Sequence, residues 1–192
     1  LTMNRIAIDT YSVGVDVKEV NVAGAKLARA AAGKGQYVLG DISATGQMLQ
    51  PYGDYSEEQL IEAFVEQAGY LAEGGVDGFL VETMLDLREA VCAARACAKV
   101  SSSLPVVVTL AFRTVGDGGR TVMGSTAAEA ARELTAAGAC AVGANCGELD
   151  PHEMAGIVAV MKAETSLPVV AQPNAGKPKV VDGETVFDMQ PA

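Results

Sequence analysis

The sequence predicts an α/β protein with a parallel sheet, and three observations carry that expectation. Short β-branched runs alternate with longer amphipathic segments, the pattern of strands joined by helical crossovers. The strand segments are almost continuously apolar, as they are when both faces of a sheet are covered. There is also a faint internal repeat. SLPVV at 103–107 recurs at 166–170, and at the same offset LAEGGVDGFLVET at 71–83 lies over LTAAGACAVGANC at 134–146. Each repeat holds two strand–helix units, which favours a closed (β/α)8 TIM barrel of like units over a Rossmann half.

Taken in order, strands are expected at 37–42 (YVLGDI), 77–83 (DGFLVET), 104–112 (LPVVVTLAF), 139–145 and 167–172 (LPVVAQ). Helices are expected at about 16–33, 56–74, 86–100, 126–137 and 151–164. Ser56 followed by Gln59 fits a capping box. Asp150 before Pro151 fits an N-cap with proline at the first helical position. Asp86 and Thr126 are further N-cap candidates. Gly33, Gly74 and Gly138 stand where helices should end and a left-handed residue is useful. VGDGG at 115–119 reads as a turn. After Gly176, KPKVVDGETVFDMQPA reads as a loop with a short hairpin.

The strand count falls short of a barrel. A complete one has roughly eight strands in about 250 residues, and this chain of 192 residues offers five. Open sheet edges are costly when exposed, so the other strands are expected either beyond this sequence or from another chain. The first residue is Leu1, in keeping with a piece of a longer product.

Composition excludes several classes. Hydrophobic residues at 49% with 20% charged residues rule out wholesale disorder. A net charge of -10 argues against a nucleic-acid partner. No apolar run is long enough to span a bilayer, and no signal peptide opens the chain. Four cysteines without tight pairing suit a reducing cytoplasm rather than a disulfide scaffold.

A parallel barrel carries its chemistry at the C-terminal ends of its strands. The residues there are Asp41 with Ser43, Glu82 with Thr83, Thr109, Asn145 with Cys146, and Asn174. Cys146 follows a strand in GANCG and reads as a metal ligand, a nucleophile or a packed thiol. One thiolate does not make a zinc site, which needs at least three protein ligands. Cys92, Cys97 and Cys140 read as packing residues. Glu82 ends an apolar strand, where a carboxylate is expensive unless paired or solvated; it suits a substrate ammonium or a solvated strand end. Asn145 and Asn174 offer donor and acceptor groups for a substrate or for bracing loops. His152, at a helix start, is expected on the surface. No Gly-rich stretch forms a GxGxxG fingerprint or a P-loop.

GDISATG, VDGFLVETMLDLREA, VVVTLAF, GGRTVMGS, AVGANCG and QPNAGKPKVVDGETVF follow one another in an order and spacing that resembles the homocysteine S-methyltransferase family. The opening LTMNRI resembles the loop after that family's second strand. The resemblance implies an eight-stranded barrel with zinc at its mouth, of which residues 1–192 form a partial homocysteine-binding domain carrying strands three to seven. It implies that Cys146 is one of three cysteine ligands, the other two belonging to a GGCCG motif absent from this sequence. It implies that Glu82 receives the homocysteine ammonium. Asp41, Ser43, Thr109, Asn145 and Asn174 are the remaining candidates for substrate contacts. The activity implied is methyl transfer to the zinc-activated thiolate of homocysteine to form methionine. The donors the resemblance implies are methylcobalamin on a corrinoid domain or protein, betaine or S-methylmethionine, and the fragment alone is expected to be inactive. The alternatives are a barrel aldolase or phosphate-binding enzyme, for which Lys177 and Lys179 are the nearby lysines, a non-catalytic domain, and methyl transfer involving a different thiol or corrinoid protein.

Overall fold

The computed structural model describes residues 2–176, 178–187 and 189. Five parallel strands form its sheet: β1 (Leu39–Ile42), β2 (Gly78–Met84), β3 (Val106–Leu110), β6 (Ala141–Asn145) and β7 (Val169–Gln172). Their order in the sheet is their order in the chain, and every pairing is parallel. These are the five expected strands; four are shorter than their apolar runs, and β2 keeps its length but is shifted by one residue. The arrangement is a partial TIM-barrel-like α/β fold.

Two small antiparallel pairs interrupt it. The run 104–112 breaks after Leu110, and Phe112–Thr114 (β4) turns back to pair with Arg120–Thr121 (β5). VGDGG supplies the turn between them, with Gly118 and Gly119 at φ 82° and 76°. The hairpin expected near the C-terminus forms from Pro178–Val181 (β8) and Glu184–Phe187 (β9).

The helices are α1 (Arg5–Thr10), α2 (Val17–Ala31), α3 (Glu57–Glu73), α4 (Leu87–Val100), α5 (Ala127–Ala136) and α6 (Pro151–Glu164). Ser56, Thr126 and Asp150 cap α3, α5 and α6 with full capping boxes, and Asp86 caps α4 through the Arg88 N–H. The opening segment is not a loop. Asn4 accepts the Ala7 N–H at 2.9 Å and starts α1, with Ile6 and Ile8 buried beneath it. Of the three helix-ending glycines, Gly138 is left-handed at φ 94°. Gly74 stays right-handed and Gly75 takes the turn at φ 90°. Gly33 is not among the left-handed glycines, because α2 ends in an extended residue, Ala32.

The core lies between the sheet and the helices. Ile42, Phe79, Val81, Val108 and Val142 are fully buried on the helix-facing side. A Cβ on Gly40 would meet Leu71 of α3 at 3.1 Å, which puts Gly40 on that same side and its neighbour Asp41 on the other. Helix α4 packs against α3, α5, β2 and β3. It is therefore covered on most of its surface. Cys92 and Cys97 lie on different faces and are both buried, where burial pushes their thiols up to about 11 and about 12. Cys140 corrects the packing expectation: it is exposed. It precedes β6, and its N–H bonds the Val106 carbonyl at 2.8 Å while the side chain points outward. No helix is long and apolar enough to cross a membrane among the described residues.

Candidate active site

The C-terminal strand ends form the candidate site, and one local irregularity shapes it. Strands β2 and β3 run in register as far as Val81 opposite Val108, and pairing resumes with Met84 opposite Leu110. Glu82 and Thr83 therefore face the single residue Thr109. This is a β-bulge, which bends a strand and re-aims side chains at barrel rims. It places Thr83 in the left-handed region at φ 57°, an outlying conformation for a β-branched residue.

Asn145 holds the bulge in place. Its Oδ1 accepts the Thr83 N–H at 3.0 Å, and its Nδ2 donates to Thr83 Oγ1 at 2.7 Å. A backbone N–H can only donate, so these contacts also fix which end of the Asn145 amide is oxygen. Both polar ends of Asn145 face Thr83. Next in the chain, Cys146 is left-handed at φ 49°. Its N–H donates to the Gln172 carbonyl at 3.2 Å, and its Sγ lies 3.9 Å from Thr83 Oγ1. Asn174 Nδ2 donates to the Gly147 carbonyl at 3.1 Å and braces the same turn from β7.

The carboxylates lie on the adjacent strands. Asp41 faces Leu80 across β1 and β2, and its carboxyl neighbours that of Glu82. Burial first, and then the Glu82 charge, push Asp41 up to about 6. A like charge close by in a partly desolvated site disfavours the ionised form of Asp41. Ser43 Oγ donates to the Glu82 backbone carbonyl at 2.9 Å and ties the two strand ends. Thr109 is fully buried, and its hydroxyl has no hydrogen-bond partner. It stands opposite the bulge, between the carboxylates and Asn145.

The strand-end rule therefore found residues that the structure brings together, with the bulge and Glu89 as omissions. Glu89, in the first turn of α4, is buried. Its Oε1 accepts both the backbone N–H and the hydroxyl of Thr45, each at 2.7 Å. It thereby holds the loop that carries Ser43. Burial raises its carboxyl, and the Thr45 hydrogen bonds oppose that rise. The sequence signal was the Asp86-x-x-Glu89 spacing, which normally announces a capping box rather than a tertiary contact.

No group of three or more His, Cys, Asp and Glu side chains able to hold a metal occurs among the described residues. Cys146 is a donor of the kind zinc sites use, but it falls short of a set by number. His152 is exposed. Lys179 is exposed on β8, and Lys177 lies outside the described residues.

Known proteins resemble this chain in sequence and in fold. The chain is 27% identical over 98% of its length to methionine synthase from Mycobacterium leprae, covering 16% of that protein. It is 29% identical over 91% of its length to methionine synthase from Mycobacterium tuberculosis, covering 15% of it. The chain thus spans about one sixth of these relatives. The fold matches the homocysteine methyltransferase MmuM from Escherichia coli in its apo form with a TM-score of 0.69. That match has 19% identity and covers 91% of this chain and 71% of that one. The metallated form of the same protein gives a TM-score of 0.69 at 18% identity, covering 91% of this chain and 65% of that one. The homocysteine S-methyltransferase profile matches residues 2–192, and the chain belongs to that family.

Proposed function

We propose that this chain is the larger part of a homocysteine-binding barrel domain, strands three to seven, in an enzyme that methylates homocysteine to methionine. The observation that carries the reading is the meeting of two carboxyls and a thiol at one end of the sheet. Glu82, with Asp41 beside it, offers negative charge to an amino group. Cys146 stands at the end of β6, tied to the same bulge. An amino acid bearing a thiol has matching groups at its two ends.

In this reading Glu82 receives the homocysteine ammonium. Cationic charge there also lets Asp41 ionise more readily, because it offsets the repulsion between the two acids. The Thr109 hydroxyl is unpartnered but fully buried, so it meets a polar atom of the substrate only where that atom enters between the strand ends. Ser43, Asn145 and Asn174 set the strand ends rather than reach outward. A free thiol has a pKa of about 8.5 and is a weak nucleophile at neutral pH. Zinc, when bound, deprotonates a coordinated thiol. Cys146 supplies one ligand for it, and the remaining ligands come from outside this chain. The metallated form of the Escherichia coli enzyme supports a metal in this family. The methyl donor, including any corrinoid domain or protein, and the remaining barrel strands lie on other segments or another chain.

The test is Glu82→Gln in the full-length protein, with homocysteine binding measured by calorimetry. The substitution keeps the shape and removes a charge-assisted bond, so the expected loss is about 2–3 kcal/mol, with metal content unchanged. Unaltered affinity would refute the role of Glu82. Metal analysis checks the sulfur side: near-stoichiometric zinc is expected in the full-length protein, and little in its Cys146→Ser variant or in the 192-residue chain.

A further inference from the structure

The bulge residue Thr83 has no part in the substrate contacts just described, yet it is the point through which the two halves of the site touch. Its backbone N–H and its hydroxyl oxygen are both engaged by Asn145. Because Asn145 Nδ2 is the donor in the second contact, the single hydroxyl hydrogen of Thr83 is left to point elsewhere. The acceptor in reach is Cys146 Sγ at 3.9 Å, near the outer limit for sulfur. Ser43 enters from the other side, with its hydroxyl on the carbonyl of Glu82, the residue before Thr83.

We propose that Thr83 is a positioning residue for Cys146. Its hydroxyl, oriented by Asn145, holds the sulfur at the end of β6 against the bulge that aims Glu82. The amino-binding strand end and the thiol-bearing strand end then keep one spacing. The meaning for catalysis rests on the methyltransferase reading above; the mechanical link does not.

The four cysteines of the chain make the link measurable. Cys140 is exposed, Cys92 and Cys97 are buried in α4, and Cys146 is half-buried at the site. Iodoacetamide labelling at a pH well above the ordinary thiol range, where a lost hydrogen bond changes access to the sulfur and not the thiolate fraction, followed by peptide mass spectrometry, reads all four at once. In Thr83→Val the shape and the β-branch remain and the hydroxyl is gone. Cys146 labelling, relative to Cys140, is expected to rise about fivefold, the effect of one lost neutral hydrogen bond. Thr83→Ser, which restores the hydroxyl, should stay within about twofold of the parent. Cys92 and Cys97 should remain protected in both variants.

Equal Cys146 labelling in parent and Thr83→Val overturns the proposal. So does a rise shared by Cys92 and Cys97, since that reports general loosening. A rise in Thr83→Ser equal to that in Thr83→Val assigns the effect to packing of the methyl group and overturns the proposal as well. Should Thr83→Val not fold, Thr83→Ala carries the same expectations. The labelling does not involve homocysteine, so a failed Glu82→Gln test would remove the methyltransferase reading without touching this result.

Discussion

At the end of β2 the chain reads Glu82–Thr83, and 63 residues later, at the end of β6, it reads Asn145–Cys146. The two ends share a backbone. Thr83 and Cys146 are left-handed at φ 57° and 49°. The helices leading into the two strands close alike, on Gly74 and Ala137 in right-handed geometry, followed by Gly75 and Gly138 at φ 90° and 94°. The faint sequence repeat is therefore a repeat of dihedral angles. The chemistry differs. On β2 a bulge admits an extra residue and leaves a carboxylate beside Asp41. On β6 pairing stays in register to Asn145 opposite Gln172, and the amide turns sideways to grip the other unit. One backbone plan thus carries charge at one site and sulfur at the other, with the Asn145 contact locking them together.

The helices that follow show the same divergence, and they give the largest expected effect. Both begin with Asp-x-x-Glu. Glu153 reaches back to the Asp150 N–H at 2.9 Å and completes a capping box. Glu89 instead crosses to Thr45. Glu89→Ala leaves a buried N–H and hydroxyl unsatisfied and should cost about 2–4 kcal/mol in urea unfolding. Glu153→Ala loses half a cap and should cost about 0.5–1 kcal/mol. Equal losses would break the distinction between the two helices.

The carboxylate side should also leave a pH signature. Asp41 is raised from 3.8 to about 6 in the folded protein. The folded state therefore holds this proton more tightly than the unfolded one, and stability falls as pH rises through that window. Asp41→Asn removes the penalty. Allowing for its partial exposure, the variant should be about 1–2 kcal/mol more stable at pH 7, with the gain fading below about pH 4. A gain that persists at low pH would mean that ionisation is not its source.

The smallest effect tests the shared backbone. Nothing lies within 4 Å of a Cβ built on Gly75 or Gly138, and both are left-handed. Alanine at either should cost only the dihedral penalty, about 1 kcal/mol, and the two losses should agree within about 0.5 kcal/mol. Thermal melts of the two variants decide it.

Much of this was legible locally. Ser56, Asp86, Thr126 and Asp150 announced their helices because a cap is a contact between near neighbours. Strands β2, β3 and β6 announced themselves because burial on both faces leaves a continuous apolar run. The bulge at Glu82–Thr83 was not legible, since it exists only in the pairing of β2 with β3. The Glu89–Thr45 contact joins residues 44 positions apart, and the local spacing pointed to a different partner. Cys140 was misjudged because the strand begins at Ala141, two residues later than expected, which leaves Cys140 in the bend before it with its side chain in solvent. Helix α1 has only six residues, too few for a periodic pattern to show. In the candidate site, the strand-end rule picked out residues that the structure brings together, while which of them brace one another needed the hydrogen bonds.

The sheet order has a kinetic consequence. Each of the five main strands pairs only with those before and after it among the five, so no pairing must wait for the two ends of the chain to meet. Assembly can begin at one strand–helix unit and grow outward by adding neighbours, as in repeat proteins. Opening should run the other way. In the 192-residue chain, amide exchange should be slowest along β3, at the centre of the five strands, and fastest along β1 and β7 at their margins.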